Sequence, residues 1–349
     1  MSNIIRGRGA QIHIPNKFQK NYRDNSESWV EEALKVKFET KTFREHPKNI
    51  ISKNESPDIP FTYSINPYQG CEHGCIYCYA RNSHEYWGFD AALDFETKII
   101  FKPDAPELLR KKFRSRSWKP ELIVLSGNTD CYQPLERKMK ITRNLLKVFL
   151  QYGNPVGIIT KNVLILRDID ILGQLAKEKL VKVIFSITTL DDTLRQKLEP
   201  RSAAGSKKMK AIEKLVNLGI PVSVLMGPVI PGINNHEIPS IIRRSAEAGA
   251  YDISMVMIRL NGVIGKIFKD WLHRYYPERE EKVWNQICAL HQGKVNESRW
   301  GYRMRGDGKL SESIHRLFKT VKKHYFKSDV KHEFALDRFR RDGSGWLFK

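Results

Sequence analysis

Between residues 60 and 260 the chain alternates two kinds of hydrophobic pattern. Compact apolar runs at 121–125, 156–160, 181–188, 222–229 and 253–259 read as strands, with a shorter candidate at 62–65. Between them, apolar residues recur at helical spacing. Leu145, Leu146, Val148, Phe149 and Leu150 form one such stripe, and Ile165, Leu166, Ile169, Leu172 and Leu175 a second. Met209, Ile212, Leu215, Val216 and Leu218 form a third, stopped by Gly219 and Pro221, and a fourth helix over 237–248 is stopped by Gly249. Strand–helix alternation with long apolar strands predicts a parallel sheet covered by helices. Six strands are too few for a closed eight-stranded barrel. Alternation by itself leaves open a doubly wound sheet or an open barrel, and no G-x-G-x-x-G after the first strand supports a dinucleotide fold.

Past Gly262 the strand pattern stops. Ile267, Trp271, Leu272 and Tyr275 predict one helix, and Val283, Trp284, Ile287, Cys288 and Leu290 another. Ile314, Leu317, Phe318, Val321 and Tyr325 predict a third. Before residue 56 the chain is polar, basic and weakly periodic. Arg6-Gly7-Arg8-Gly9 reads as mobile, and a helix over 28–38 is suggested by the capping-box spacing of Ser28 and Glu31. Trp346-Leu347-Phe348 is an apolar tip able to dock. The expected organisation is a basic N-terminal extension (1–55), a core (56–260) and a helical, basic C-terminal region (261–349).

Composition narrows the class. Hydrophobic residues make up 41% of 349, enough for a sizeable core. No run is long and apolar enough to span a membrane. The first ten residues have no signal-peptide apolar region, so the expected setting is cytoplasmic, with reduced thiols. Lys and Arg number 60 against 39 Asp and Glu, a net charge of +21. Residues 266–349 hold 20 of the basic and 11 of the acidic residues, a surplus of nine. That balance makes nucleic acid a candidate partner, the alternative being a solvated basic surface.

Three of the five cysteines fall within eight residues, Cys71-Glu72-His73-Gly74-Cys75-Ile76-Tyr77-Cys78. A disulfide pair with a spare thiol, three inert buried thiols, and a structural zinc completed by His73 or a distant residue are the alternatives to a cluster. The first does not suit a reduced chain. The second does not explain the clustering, and the third lacks the second ligand pair that structural zinc uses. C-x3-C-x2-C is one thiolate short of the four that usually hold a [4Fe–4S] cluster, which leaves one iron open to a small molecule.

The same motif, with aromatic Tyr77 before its last cysteine, resembles the signature of the radical S-adenosylmethionine (SAM) superfamily. Asn66-Pro67-Tyr68-Gln69-Gly70 leads in and Tyr79-Ala80-Arg81 leads out. Asn128-Thr129-Asp130-Cys131, Thr160-Lys161-Asn162, Glu199-Pro200-Arg201 and Pro228-Val229-Ile230-Pro231-Gly232 follow in order. Together they resemble the branch related to spore photoproduct lyase, over about 61–260. The resemblance implies a partial (β/α)6 TIM-like barrel. It implies a [4Fe–4S] cluster on Cys71, Cys75 and Cys78, with SAM on the open iron. It further implies reduction by a donor such as flavodoxin or ferredoxin, and a 5′-deoxyadenosyl radical that abstracts hydrogen from substrate. The competing reading is a non-enzymatic nucleic-acid-binding protein with a structural metal.

In parallel barrels chemistry gathers where strands end. On that basis the candidates are Ser126–Cys131 with Asn128 and Thr129, then Lys161, Ser186 and Arg259. Lys161 is placed to hold the SAM carboxylate, and Ser186, interrupting an apolar strand, needs a partner. Tyr77 and Tyr79 flank Cys78 and are placed to shield the cluster or meet the adenine. Asp130 and Arg201 are further candidates, Arg201 alternatively closing a salt bridge within its own loop. Cys131 is the candidate hydrogen-atom donor, or else a small buried hydrophobe. His84 either meets substrate or pairs with Glu85.

Overall fold

The structure is a computed structural model that describes residues 4–18, 39–327 and 332–344. The expected helix over 28–38 and the apolar tip at 346–348 lie outside the described residues.

Ten strands are described: β1 (Lys41–Arg44), β2 (Ile51–Lys53), β3 (Tyr63–Ile65), β4 (Tyr68–Gln69), β5 (Lys98–Phe101), β6 (Ile123–Leu125), β7 (Val156–Thr160), β8 (Val181–Ile187), β9 (Val222–Val229) and β10 (Asp252–Met257). Seven form one sheet in the order β10-β9-β8-β7-β6-β3-β2. The six predicted strands are its parallel members, in sequence order across the sheet. β2 adds an antiparallel edge to β3, so part of the expected N-terminal extension belongs to the main sheet. The sheet does not close among the described residues, which makes it a partial barrel.

The apolar runs form strands because both faces are covered. Ile123, Leu125, Ile158, Val183, Phe185, Val222, Val224 and Ile253 have no exposed surface. Crossover helices follow β6 (Ile141–Tyr152), β7 (Ile169–Lys177), β8 (Gly205–Asn217) and β9 (Ile238–Glu247). The stripe beginning at Ile165 starts as a tight 3-10 turn (Val163–Asp168), because the Asn162 side chain accepts the Leu164 N–H and winds the entry. Helices Ile264–Tyr275, Glu280–Ala289 and Gly308–Tyr325 form the C-terminal region.

Two features missed by the hydrophobic pattern matter for the site. A small sheet, β1-β5-β4, sits beside the cysteine loop, and its strands are too short to show a period. The 299–306 segment spans from the edge strand to the loop before β3. The Met257 N–H donates to the Met304 carbonyl (2.9 Å), while Gly301 N and Arg303 Nε donate to Asp58 (2.8 and 2.7 Å). It therefore bridges the side on which the barrel is open.

Candidate active site

β3 and β4 deliver the chain into the cysteine loop, which is held from several directions. Cys71 N donates to the Phe95 carbonyl (2.8 Å), Ile76 N to Leu198 O (3.1 Å), and Arg201 N to His73 O (3.3 Å). Arg81, fully buried, donates through Nε to Cys75 O (2.9 Å) and through Nη2 to Glu96 (2.5 Å). Glu96, also fully buried, accepts the backbone N–H groups of Gly9 (2.9 Å) and Ala10 (2.8 Å), and its carbonyl accepts Arg8 Nη1 (2.6 Å). The segment around Arg8, expected to be mobile, is thus pinned beneath the loop. Its anchor is a carboxylate 86 residues away, which no local pattern announces.

The contact is close enough to require glycine. A Cβ on Gly9 would lie 1.8 Å from the Gly74 carbonyl oxygen and 2.9 Å from Ile76 Cγ2. Gly9→Ala is expected to push the segment off the loop at a cost of about 1–3 kcal/mol in stability. Iron release from the reconstituted protein to a chelator, followed by absorbance, should be faster than in wild type; an unchanged rate and melting temperature would refute the role.

All five cysteines are free thiols, which removes the disulfide alternative. Burial pushes the Cys71, Cys75 and Cys78 thiols above their ordinary range, so an unligated loop holds them protonated. Among the described residues the His, Cys, Asp and Glu ligand atoms that gather closely enough to share one ion are those of His13, Asp90 and Asp94.

Across from the loop, the ends of β7 and β8 build a charged array. Lys161 Nζ reaches Ser186 Oγ (2.8 Å), Thr188 Oγ1 (3.1 Å) and Glu199 Oε1 (2.9 Å), and lies 5.6 Å from the Tyr77 ring centre. Glu199 is buried and also accepts from Thr188 (2.5 Å), Ser202 (2.9 Å), Lys208 Nζ (3.5 Å) and the Tyr77 hydroxyl. Burial alone would raise the Glu199 carboxyl, but the two lysines hold it well below its ordinary value. Burial likewise pulls Lys161 down, and Glu199 overcomes it, keeping the ammonium charged; Lys208, deeper, is left lowered by burial. Asp130 accepts Lys161 N (2.7 Å) and Thr160 Oγ1 (2.9 Å) and faces His73 Nδ1 (3.4 Å). Asn162 Nδ2 meets His73 Nε2 (3.0 Å), tying this strand end to the cysteine loop.

The remaining predicted residues divide by exposure. Tyr79 is 47% exposed, its hydroxyl donating to Gly127 O (2.6 Å) after β6. Asn128 braces the loops, its N–H on Asn66 (2.7 Å) and its amide on Ser83 (3.2 Å). Thr129 is buried and donates to Tyr68 O (2.5 Å). Arg201 pairs with Glu72 of the cysteine loop (3.2 Å). Cys131 has no exposed surface; its N–H donates to Ser126 Oγ (2.7 Å), and its carbonyl accepts from the Thr142 hydroxyl (2.6 Å). His84 does not pair with Glu85. Its ring packs against Phe89 and Phe95, burial lowers it to about 4, and Glu85 pairs with Lys17. Sequence reading passed over Glu96, Arg81 and Lys208 as site residues, and Glu199 entered it only as a neighbour of Arg201.

An open parallel barrel with three unpaired thiols on the loop after its first parallel strand, facing a buried lysine–glutamate array, defines an iron–sulfur enzyme fold. The radical SAM superfamily profile matches residues 65–244, just over half of the chain, and the chain belongs to that superfamily. Enzymes of this superfamily use a [4Fe–4S] cluster and SAM. The chain is 30% identical over 222 residues to an uncharacterized protein of Mycobacterium tuberculosis. The match covers 63% of this chain and 65% of that one, so it spans just under two thirds of the relative's length. It is 24% identical over 234 residues to a protein of Pseudomonas phage M6 named a radical SAM Nalpha-GlyT isomerase, covering 66% of this chain and 47% of that one. Among solved structures, spore photoproduct lyase complexed with dinucleoside spore photoproduct matches with a TM-score of 0.57, over 82% of this chain and 79% of that one. At 14% identity this likeness is one of fold. No helix among the described residues is long and apolar enough to cross a membrane.

Proposed function

We propose that this chain reductively cleaves SAM at a [4Fe–4S] cluster on Cys71, Cys75 and Cys78 and abstracts a hydrogen atom from a nucleic-acid substrate. The observation that carries the reading is the joint placement of three free thiols and a charged lysine, Lys161, at one end of an open barrel. When bound, the cluster and SAM supply an electron and a 5′-deoxyadenosyl radical for hydrogen abstraction.

The chain's own residues hold and orient. Lys161 is the cation for a carboxylate, and Ser186 and Thr188 offer hydroxyls beside it. Glu199 keeps that cation charged, and Tyr77 walls the space beneath it. Asn128, Thr129 and Arg201 act as positioning residues, because their partners are the loops that frame the cysteines. Tyr79, at the open side, is the candidate to meet adenine or substrate. Cys131 enters as a packing residue: a thiol with no exposure meets a substrate radical only if the 126–131 loop opens. An external low-potential donor such as flavodoxin or ferredoxin completes the electron supply.

Nucleic acid as substrate is supported by the net charge of +21 and by the dinucleoside photoproduct bound in the lyase of similar fold. The test is anaerobic reconstitution, reduction, and assay for 5′-deoxyadenosine. Deuterium tracing from labelled DNA and RNA into that product then identifies the donor. Recovery of one tightly held zinc, no iron and no 5′-deoxyadenosine would instead favour a non-enzymatic nucleic-acid-binding protein.

A further inference from the structure

We infer that the open side of the barrel carries a docking site for unpaired nucleic acid, with Arg259 taking a phosphate and the rings of Trp300 and Tyr302 stacking on bases. This rests on the reading of the substrate given above and says where that substrate is gripped.

Arg259 follows β10 at the strand end where the chemistry gathers, and its neighbours are fixed. Ile258 N donates to Val229 O (3.0 Å) and Leu260 N to Val295 O (2.8 Å). Its guanidinium is partly buried and makes no hydrogen bond or ion pair among the described residues. The acid in range, Asp58, is already taken by Arg303 Nε and Gly301 N. Arg303 adds like charge beside it, and Tyr79 is the neighbouring ring on the cysteine-loop side. A cation left partly desolvated without an anion, between the cluster loop and an open edge, is suited to an anionic ligand.

The bridging segment supplies the second element. Trp300 is 55% exposed and Tyr302 45%. Each ring is braced by an arginine: Arg303 lies 4.2 Å from the Trp300 centroid and Arg299 4.5 Å from that of Tyr302. Acids hold both arginines, Arg303 by Asp58 (2.7 Å) and Arg299 by Glu297 (2.8 Å). The guanidinium charges are therefore spent within the protein, and the rings are fixed yet still half exposed. Arg303, which adds like charge at Arg259, carries the Trp300 ring, and an oriented aromatic face joined in this way to an unspent cation matches the pairing of base and phosphate in a single strand. The basic helix Gly308–Tyr325 is the rival surface, offering the charge of Lys319 and Lys323 and, at its end, the Tyr325 ring packed edge-on against His324.

The test is fluorescence anisotropy of a labelled single-stranded oligonucleotide, and of its duplex, with the full-length, anaerobically reconstituted protein. Wild type should prefer the single strand. Trp300→Ala and Tyr302→Ala should each weaken binding at least about fivefold, and Trp300→Phe should recover most of the loss. Arg259→Gln should weaken binding and lower the salt slope by about one. SAM cleavage without substrate should be unchanged in Trp300→Ala. Wild-type affinity in all three loss variants, or a loss seen only with Lys319→Ala and Lys323→Ala, would overturn the site while leaving the substrate reading standing. A wild type that cleaves SAM but binds no oligonucleotide would overturn both.

Discussion

Cys71→Ala protein, reconstituted with iron and sulfide without oxygen, is expected to hold no stable four-iron cluster and to form no 5′-deoxyadenosine above background. The loop offers three thiolates and no fourth. His73 is engaged by Asp130 and Asn162, and the two remaining cysteines lie far along the chain, Cys131 shut in the core. Removing one ligand leaves an iron without a protein anchor, and affinity for the cluster is lost with it. Cys288→Ala is the matched control and should retain both cluster and cleavage. The measurements are iron and sulfide per chain, the electron paramagnetic resonance signal of the reduced cluster, and chromatography of the nucleoside product. Cleavage at wild-type rate in Cys71→Ala would end the assignment.

Glu199→Gln is expected to cost about 3–5 kcal/mol of folding stability, a large share of the 5–15 kcal/mol that holds a typical domain. The carboxylate neutralises two lysines: Lys208 fully buried beside it and Lys161 only 15% exposed. An amide cannot offset either charge, so both cations would stay desolvated without an anion. Glu199→Gln combined with Lys208→Met should recover part of the loss, because one of the stranded charges is gone. Denaturant titration of the apo-protein measures this without reference to activity. The pH dependence has a definite sign. The folded carboxyl is held below its unfolded value of about 4.3, so its contribution is fully present above that pH. It fades as pH falls further and is lost once pH passes the folded value. The gap between wild type and Glu199→Gln should therefore be flat around neutrality and close in acid. A variant as stable as wild type at pH 7 would show that the array is not structural.

Both predictions mark how far the sequence could be read. Spacing alone exposed the cysteines, because cluster ligation is a local pattern. Lys161 was legible because it follows an apolar run and strand ends gather chemistry. Glu199 was not, although it stands two residues from Arg201: its role depends on being buried between two lysines, which is a tertiary fact. Arg201 was open to either reading; its salt bridge leaves its own loop and reaches Glu72 in the cysteine loop, a partner set by tertiary packing. The central parallel strands, β6 to β9, were visible as apolar runs, since both their faces are covered. β1, β4 and β5 were not, because two to four residues carry no detectable period. The segment around Arg8 misled for a physical reason. Glycine and arginine are the composition of a loose tail, yet here glycine lets backbone touch backbone and arginine finds a buried carbonyl.

That grip on the cysteine loop also constrains when the metal centre can be built. The loop is fastened by Gly9 and Ala10 through Glu96, and again by Leu198 and Arg201. A nascent chain emerging from the ribosome releases Gly9 first, the thiols next, and the last fasteners more than a hundred residues later. A chain stalled before residue 198 would therefore carry the three thiols on a loop that lacks its second set of fasteners.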